Sequence, residues 1–356
     1  MRYEEILSGQ RKDPLAVFMR GALRLASVPY VVAIAVRNSR FDRAETEIHH
    51  ADVSVISIGN LTTGGTGKTP LVRYVARYFR DSEVRVSIVS RGFGAKPGVE
   101  NDEAMELAWS LPDVPHVQDA DRVEAARIAT EELETELILM DDGFQHRRLH
   151  RDLDVVVIDA TNPFGFDAML PRGLLREPIS SLCRAQVVVL SRSDLVDQAT
   201  RIGIRDRVQK HAPEALWSEA THAPTALLSW PDTTRTVDTI RGKKVVTVSA
   251  IGNPDAFAAT VTRCGAEVVA SKSLPDHDGY DRETVNGIQN WLKTFGDTSI
   301  DVICTHKDLV KLQTDQLAGH KVAALLIELE FIQGKMEFDA MLSTFVPSND
   351  DNQSSS

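Results

Sequence analysis

A doubly wound α/β fold, built on a mostly parallel sheet with a second and smaller α/β domain, is what this sequence predicts. Three observations carry that expectation. Short apolar runs recur after residue 50, amphipathic stretches separate them, and a second block of the same alternation begins near residue 223.

The apolar runs at 53–59, 85–90, 136–140, 154–159 and 186–191 have no polar face. Strands covered on both sides of a parallel sheet read this way. Between them, Leu71, Val72, Val75, Ala76 and Phe79 fall at helical spacing over 70–80, and 121–133 reads as a helix with Asp121 near its start. A further helical stretch, 104–110, follows Asn101-Asp102-Glu103, residues that suit a helix start. In the second block, strands fit 225–229, 244–250, 266–270, 300–304 and 322–328, and helices fit 253–263 and 282–295. The mixed stretch 212–243, with Pro224 and Pro231, reads as a domain junction. The expected organisation is therefore an N-terminal helical segment (1–49), a core domain (50–222), a smaller domain (223–347) and a polar, disordered tail (348–356).

A formal charge of −11 argues against a general nucleic-acid binder. Cys183, Cys264 and Cys304 are widely spaced with no CxxC, so a reducing cytoplasm fits better than a disulfide framework or zinc site. The N-terminus has no signal-peptide layout. Residues 15–36 are apolar but interrupted by Arg20, Arg24 and Pro29. Arginines inside a membrane span are costly. Two readings fit: a helix lying in the membrane interface, with Arg37, Arg40 and Arg43 meeting anionic headgroups, or a buried helix packed on the domain.

The strongest local signal is Gly59-Asn60-Leu61-Thr62-Thr63-Gly64-Gly65-Thr66-Gly67-Lys68-Thr69-Pro70, between an expected strand and an expected helix. That is the setting of a P-loop. Glycines let backbone amides turn toward phosphate oxygens, and the helix N-terminus adds a positive dipole. Residues Thr62 to Thr69 would hold the nucleotide, Lys68 would reach the β- and γ-phosphates, and Thr69 would offer a hydroxyl to Mg²⁺. Pro70 fits the first helical turn. Thr62 stands where the first glycine of GxxxxGK[ST] belongs, so a glycine-rich turn without nucleotide is the alternative.

Asp141 and Asp142 follow the apolar run at 136–140, and a carboxylate at a strand end of a P-loop protein serves Mg²⁺. Asp-Asp-Gly alone is usually a turn. His277, between Asp276 and Asp278, is a proton-handling candidate. Arg91, Arg172 and Arg176 lie in Gly/Pro loops, where arginines either clamp phosphate or remain solvated.

Together the segments 59–70, 90–94 (SRGFG), 102–103 (DE), 121–126 (DRVEAA), 141–152 (DDGFQHRRLHRD), 170–178 (LPRGLLREP), 250–254 (AIGNP), 275–277 (PDH) and 305–308 (THKD) resemble the tetraacyldisaccharide 4′-kinase family, in the family's order. The resemblance implies a P-loop NTPase-like unit and a smaller α/β unit joined by a hinge, with ATP and Mg²⁺ as cofactors. It implies phosphorylation of the 4′-hydroxyl of tetraacyldisaccharide 1-phosphate, giving lipid IVA, at the cytoplasmic face of the inner membrane; a monomer is expected, though the sequence does not itself give the oligomeric state. That location favours the interfacial reading of 15–43. By resemblance Asp102 is the catalytic aspartate and His277 its partner, with Lys68 catalytic as well. Asp141 and Asp142 match the acids that serve the metal. Arg91, Glu103, Arg122, Gln145, His146, Arg172 and Arg176 are the substrate-side candidates. Departures from the family pattern are His306 within 305–308, Asp278 after His277, and Asn101 before the DE pair.

Three rival functions fit these residues less well. A nucleotide-dependent switch of the deviant P-loop type needs a lysine at position 63, where Thr63 stands. A GTPase would need the Asn and Lys that Ser191-Arg192-Ser193-Asp194 lacks. A membrane scaffold with an inactive P-loop sits poorly with an intact Gly-Lys-Thr.

Overall fold

The computed structural model describes residues 3–92, 102–275 and 278–347. Its elements are α1 (Tyr3–Leu7), α2 (Pro14–Asp42), β1 (Ser54–Asn60), α3 (Lys68–Asp81), β2 (Val86–Ser90), α4 (Asp102–Ser110), β3 (His116–Gln118), α5 (Arg122–Leu133), β4 (Leu137–Asp141), β5 (Leu153–Asp159), β6 (Val187–Ser191) and α6 (Gln198–Gln209). Then come β7 (Leu216–Ser229), β8 (Thr233–Thr236), β9 (Lys244–Ser249), α7 (Pro254–Arg263), β10 (Glu267–Ser273), α8 (Arg282–Lys293), β11 (Asp301–Thr305), α9 (His306–Leu312), β12 (Gln316–Leu317), β13 (His320–Gln333) and α10 (Lys335–Ser343). Each expected strand and helix overlaps one of these elements; most ends agree within two residues, while β7 and β13 run longer than expected.

The chain divides into two compact units. The first takes in α1 to β2, β3 to β6, α6, the start of β7 and α10. Its strands run in the order β7-β6-β5-β1-β4-β2-β3, every pair parallel. β1 lies in the middle, between β4 and β5, with six of its seven residues buried. The amphipathic face of α3, from Leu71 to Phe79, is buried as its spacing requires. Asp121 caps α5 by accepting from the Val123 amide.

The second unit holds α4 and residues 222–329. Its parallel order is β10-β9-β11-β13, with β12 antiparallel to β13 and β8 antiparallel to β7. Its core gathers Val246, Val248, Val302, Cys304 and Ile288. Thus 102–112 belongs with the second unit and 330–347 with the first, where the sequence had suggested a single division near residue 222. The stretch expected to be a mixed junction contains the 14-residue strand β7, buried at its two ends and less so between. The expected strand 225–229 is its C-terminal part, and its central polar residues hid the rest, because only the stretches near its ends enter a core. The expected disordered tail, 348–356, lies outside the described residues.

Candidate active site

The site begins at the C-terminal ends of β1 and β4, where parallel sheets bind ligands. Their register places Ile58 beside Asp141, so Asn60 and Asp142 emerge from neighbouring strands. Gly59 is needed here because a Cβ would come within 2.5 Å of the Phe144 Cβ. Two motifs far apart in sequence therefore meet only because one of them begins without a side chain. The turn that follows reaches Gly67 at φ 84°, a left-handed conformation suited to glycine, and α3 starts at Lys68.

The turn is tied to the 174–176 segment on one side. The Thr63 amide donates to the Leu174 carbonyl at 2.8 Å, and the Arg176 amide to the Leu61 carbonyl at 2.7 Å. From below, the buried Ser191 hydroxyl donates to the Thr66 carbonyl at 2.6 Å. Gly64 and Gly65 remain exposed.

Lys68 lies 3.2 Å from Asp142 and 3.4 Å from the Asn60 side-chain oxygen. Arg176 grips both oxygens of Asp142, at 2.7 and 2.8 Å, and also donates to the Asn60 side chain. Asn60, fully buried, donates to the Thr66 hydroxyl at 2.9 Å. Burial works against a charged Asp142, but Lys68 and Arg176 overcome it and hold the carboxyl well below its ordinary value. Asp142 takes a left-handed φ of 55°, and its carboxylate meets Lys68 and Arg176.

Of the residues singled out from sequence, the structure brings together Thr62 to Thr69, Asp141, Asp142, Gln145 and Arg176. Gln145 donates to the Asn60 carbonyl at 2.9 Å. Arg122, 4% exposed, starts α5 and donates to the Asp119 and Ala120 carbonyls. His146 is pushed down to about 4, first by burial and then by the Arg122 charge. Arg91 is exposed just past β2. Arg172 instead faces the N-terminal helices, donating to the Leu7 carbonyl at 3.0 Å. Asp102 and Glu103 occupy the first turn of α4, in the second unit, and their side chains lie outside the described residues, as does His277.

Sequence reasoning passed over Asn60, the most connected side chain of the site. A buried amide at the end of an apolar strand was the available signal. The segments 250–254 and 305–308, which carry part of the family resemblance, have a different role. In the structure Asp308 accepts from the Ala250 amide, the Thr305 amide and the Thr305 hydroxyl, so these segments form a structural knot within the second unit.

A model of the tetraacyldisaccharide-1-P 4′-kinase family matches residues 19–346. The tetraacyldisaccharide 4′-kinase of Anaeromyxobacter dehalogenans strain 2CP-C is 36% identical, over 96% of this chain and 94% of its own. That of Halothermothrix orenii is 32% identical, over 96% of each. Among solved structures, LpxK from Aquifex aeolicus in complex with ATP superposes with a TM-score of 0.72 at 28% identity, covering 92% of this chain and all of that one.

Proposed function

This chain belongs to the tetraacyldisaccharide-1-P 4′-kinase family, and we propose how its residues divide the work of that reaction. It is an ATP-dependent kinase of lipid A biosynthesis. It transfers the γ-phosphoryl group to the 4′-hydroxyl of tetraacyldisaccharide 1-phosphate, giving lipid IVA.

The observation that carries the assignment of roles is the meeting of Lys68, Asp142, Asn60 and Arg176 at the strand ends beneath an exposed glycine turn. Lys68 exchanges its hold on Asp142 for β- and γ-phosphate oxygens, and the turn amides with the α3 dipole stabilise charge on them. Thr69, Asp141 and Asp142 offer one hydroxyl and two carboxylates. No group of three or more His, Cys, Asp or Glu side chains gathers among the described residues. A small oxygen-donor set suits Mg²⁺, which keeps waters and takes other ligands from phosphates. Bound there, Mg²⁺ neutralises charge on the nucleotide.

Asp102 accepts the proton of the attacking hydroxyl, with His277 orienting it; both roles rest on the family resemblance. Arg91, Arg122, Gln145, His146 and Arg172 contact substrate, with Glu103 and Arg176. Arg122 supports this best: its buried Nε has no partner among the described residues, so an incoming anion would satisfy it.

The enzyme sits peripherally on the cytoplasmic face of the inner membrane, as a monomer. α2 is long and apolar enough to span, but Arg20 and Arg24 interrupt its apolar stretch. Leu15, Phe18, Leu25, Val28, Val32 and Val36 lie on one side, Val17 and Val31 widen that side, and Ser27, Tyr30 and Arg37 opposite bond to the rest of the first unit. A helix with arginines in its apolar stretch and one side bonded to its own unit rests in the interface.

The test is incubation with radiolabelled ATP and tetraacyldisaccharide 1-phosphate in detergent micelles, with thin-layer separation. A labelled lipid that disappears in Lys68→Ala is expected. ATP hydrolysis without a labelled lipid would overturn the reading.

A further inference from the structure

The two stripes of α2 have different neighbours. At about 100° per residue, the apolar stripe and the set Ser27, Tyr30, Arg37 and Phe41 point to opposite sides of the helix. The second set does not merely pack. Tyr30 donates its hydroxyl to the Arg176 carbonyl at 2.9 Å. Arg37 donates to the Gln145 carbonyl. Ser27 accepts from the Arg172 amide at 3.1 Å.

Each of the first two contacts leads on to Lys68. Arg176 holds Asp142 with both nitrogens, and Asp142 lies 3.2 Å from Lys68. Gln145 donates to the Asn60 carbonyl, and the Asn60 side chain accepts from Lys68 at 3.4 Å and donates to the Thr66 hydroxyl at 2.9 Å. Two hydrogen-bonded paths thus leave one helix face and converge on one ammonium group, crossing only buried or half-buried residues. Isolated surface polar contacts would not share an endpoint.

We propose that Tyr30 and Arg37 are positioning residues for the phosphate-binding turn, so that the helix presenting an apolar face to the lipid surface also sets the geometry of Lys68. The proposal rests on the nucleotide-binding role given above to that turn. α2 is then part of the catalytic frame as well as an anchor. A helix displaced from its seat releases Arg176 and Gln145, and with them the two groups that orient the lysine. The enzyme reaches full turnover only when α2 is seated.

Tyr30→Phe removes a single oxygen, and Arg37→Ala removes the second path. Arg37→Ala also removes a 3.9 Å pair with the buried Glu177, whose other oxygen Arg184 still holds at 2.6 Å, so Tyr30→Phe is the decisive variant. Binding of a fluorescent ATP analogue with Mg²⁺ is titrated without lipid. kcat and the KM for each substrate are measured in micelles, and flotation is followed on phosphatidylethanolamine–phosphatidylglycerol vesicles. Loss of one net hydrogen bond corresponds to about threefold to tenfold. Each variant is expected to lower nucleotide affinity and kcat by that factor, with flotation and the lipid KM unchanged. Arg37→Lys is expected to recover part of the loss. Wild-type nucleotide affinity and kcat in Tyr30→Phe, with only flotation or the lipid KM altered, would leave α2 as an anchor alone and overturn the proposal. The nucleotide titration uses no lipid, so a failure of wild-type lipid phosphorylation counts against the function assigned above and not against this coupling.

Discussion

Two carboxylates, one in each unit, follow buried apolar strands, and their surroundings make them opposites. Asp142 comes just after β4 and is held by two cations, Lys68 and Arg176. Asp308 comes three residues after β11 and is held by backbone amides and a hydroxyl, with no exposure to solvent. The cations pull Asp142 well below its ordinary value against the cost of burial. At Asp308 burial dominates and raises the value despite its hydrogen bonds. One site stores negative charge next to an open turn. The other uses its oxygens to tie the end of β9 to the start of α9, reinforcing a capping box on Thr305. An acid after a strand is thus chemistry or architecture according to what it faces.

The contrast is broken most directly by Lys68→Ala. Removing a preorganised charge at a transferring phosphate costs roughly 10²–10³-fold in kcat, with folding unaffected. Radiolabel transfer and a thermal melt measure the two. Asp308→Ala should do the reverse. It leaves buried donors unsatisfied and costs about 3 kcal/mol in urea denaturation, while kcat of the folded fraction stays at the wild-type level. A large kcat loss there would make Asp308 a site residue after all. Arg176→Lys sharpens the first half: a point charge replaces a two-pronged grip, and kcat should fall about tenfold. Thr305→Ala removes only the cap of α9, at a cost of about 1 kcal/mol.

The smallest effect is in pH, and the two acids carry opposite signs. Asp142, depressed in the fold, contributes stability fully above the ordinary carboxylate value of 3.8, and loses it as pH falls below that. Asp308, raised in the fold, contributes less as pH rises from that same value through its folded one. The melting gap between wild type and Asp308→Asn should therefore widen as pH falls from about 7 to about 4, and that for Asp142→Asn should narrow only below about 4. Equal slopes would mean that the two environments do not differ as described.

Much of the fold was readable because its signals are local. The runs that became β1, β4, β5 and β6 are apolar on both faces, and the α3 stripe has helical spacing. β7 was less legible, since its middle residues are neither alternating nor uniformly apolar. In the site, the glycine turn, Lys68 and the Asp141–Asp142 pair were visible as motifs. Asn60 was not, because its importance lies in what it bonds. Arg172 was paired in expectation with Arg176, yet only Arg176 reaches the turn.

By itself the sequence determined the order of elements, the glycine turn before α3 and the family, since each is written in side chains near one another along the chain. Tertiary structure decided which polar groups share a site. Tyr30 meets Arg176 across 146 positions, and Gln145 meets Asn60 across 85. Such pairs depend on strand order and register, set by burial of whole apolar faces, and no local pattern of residues encodes where a distant partner will arrive.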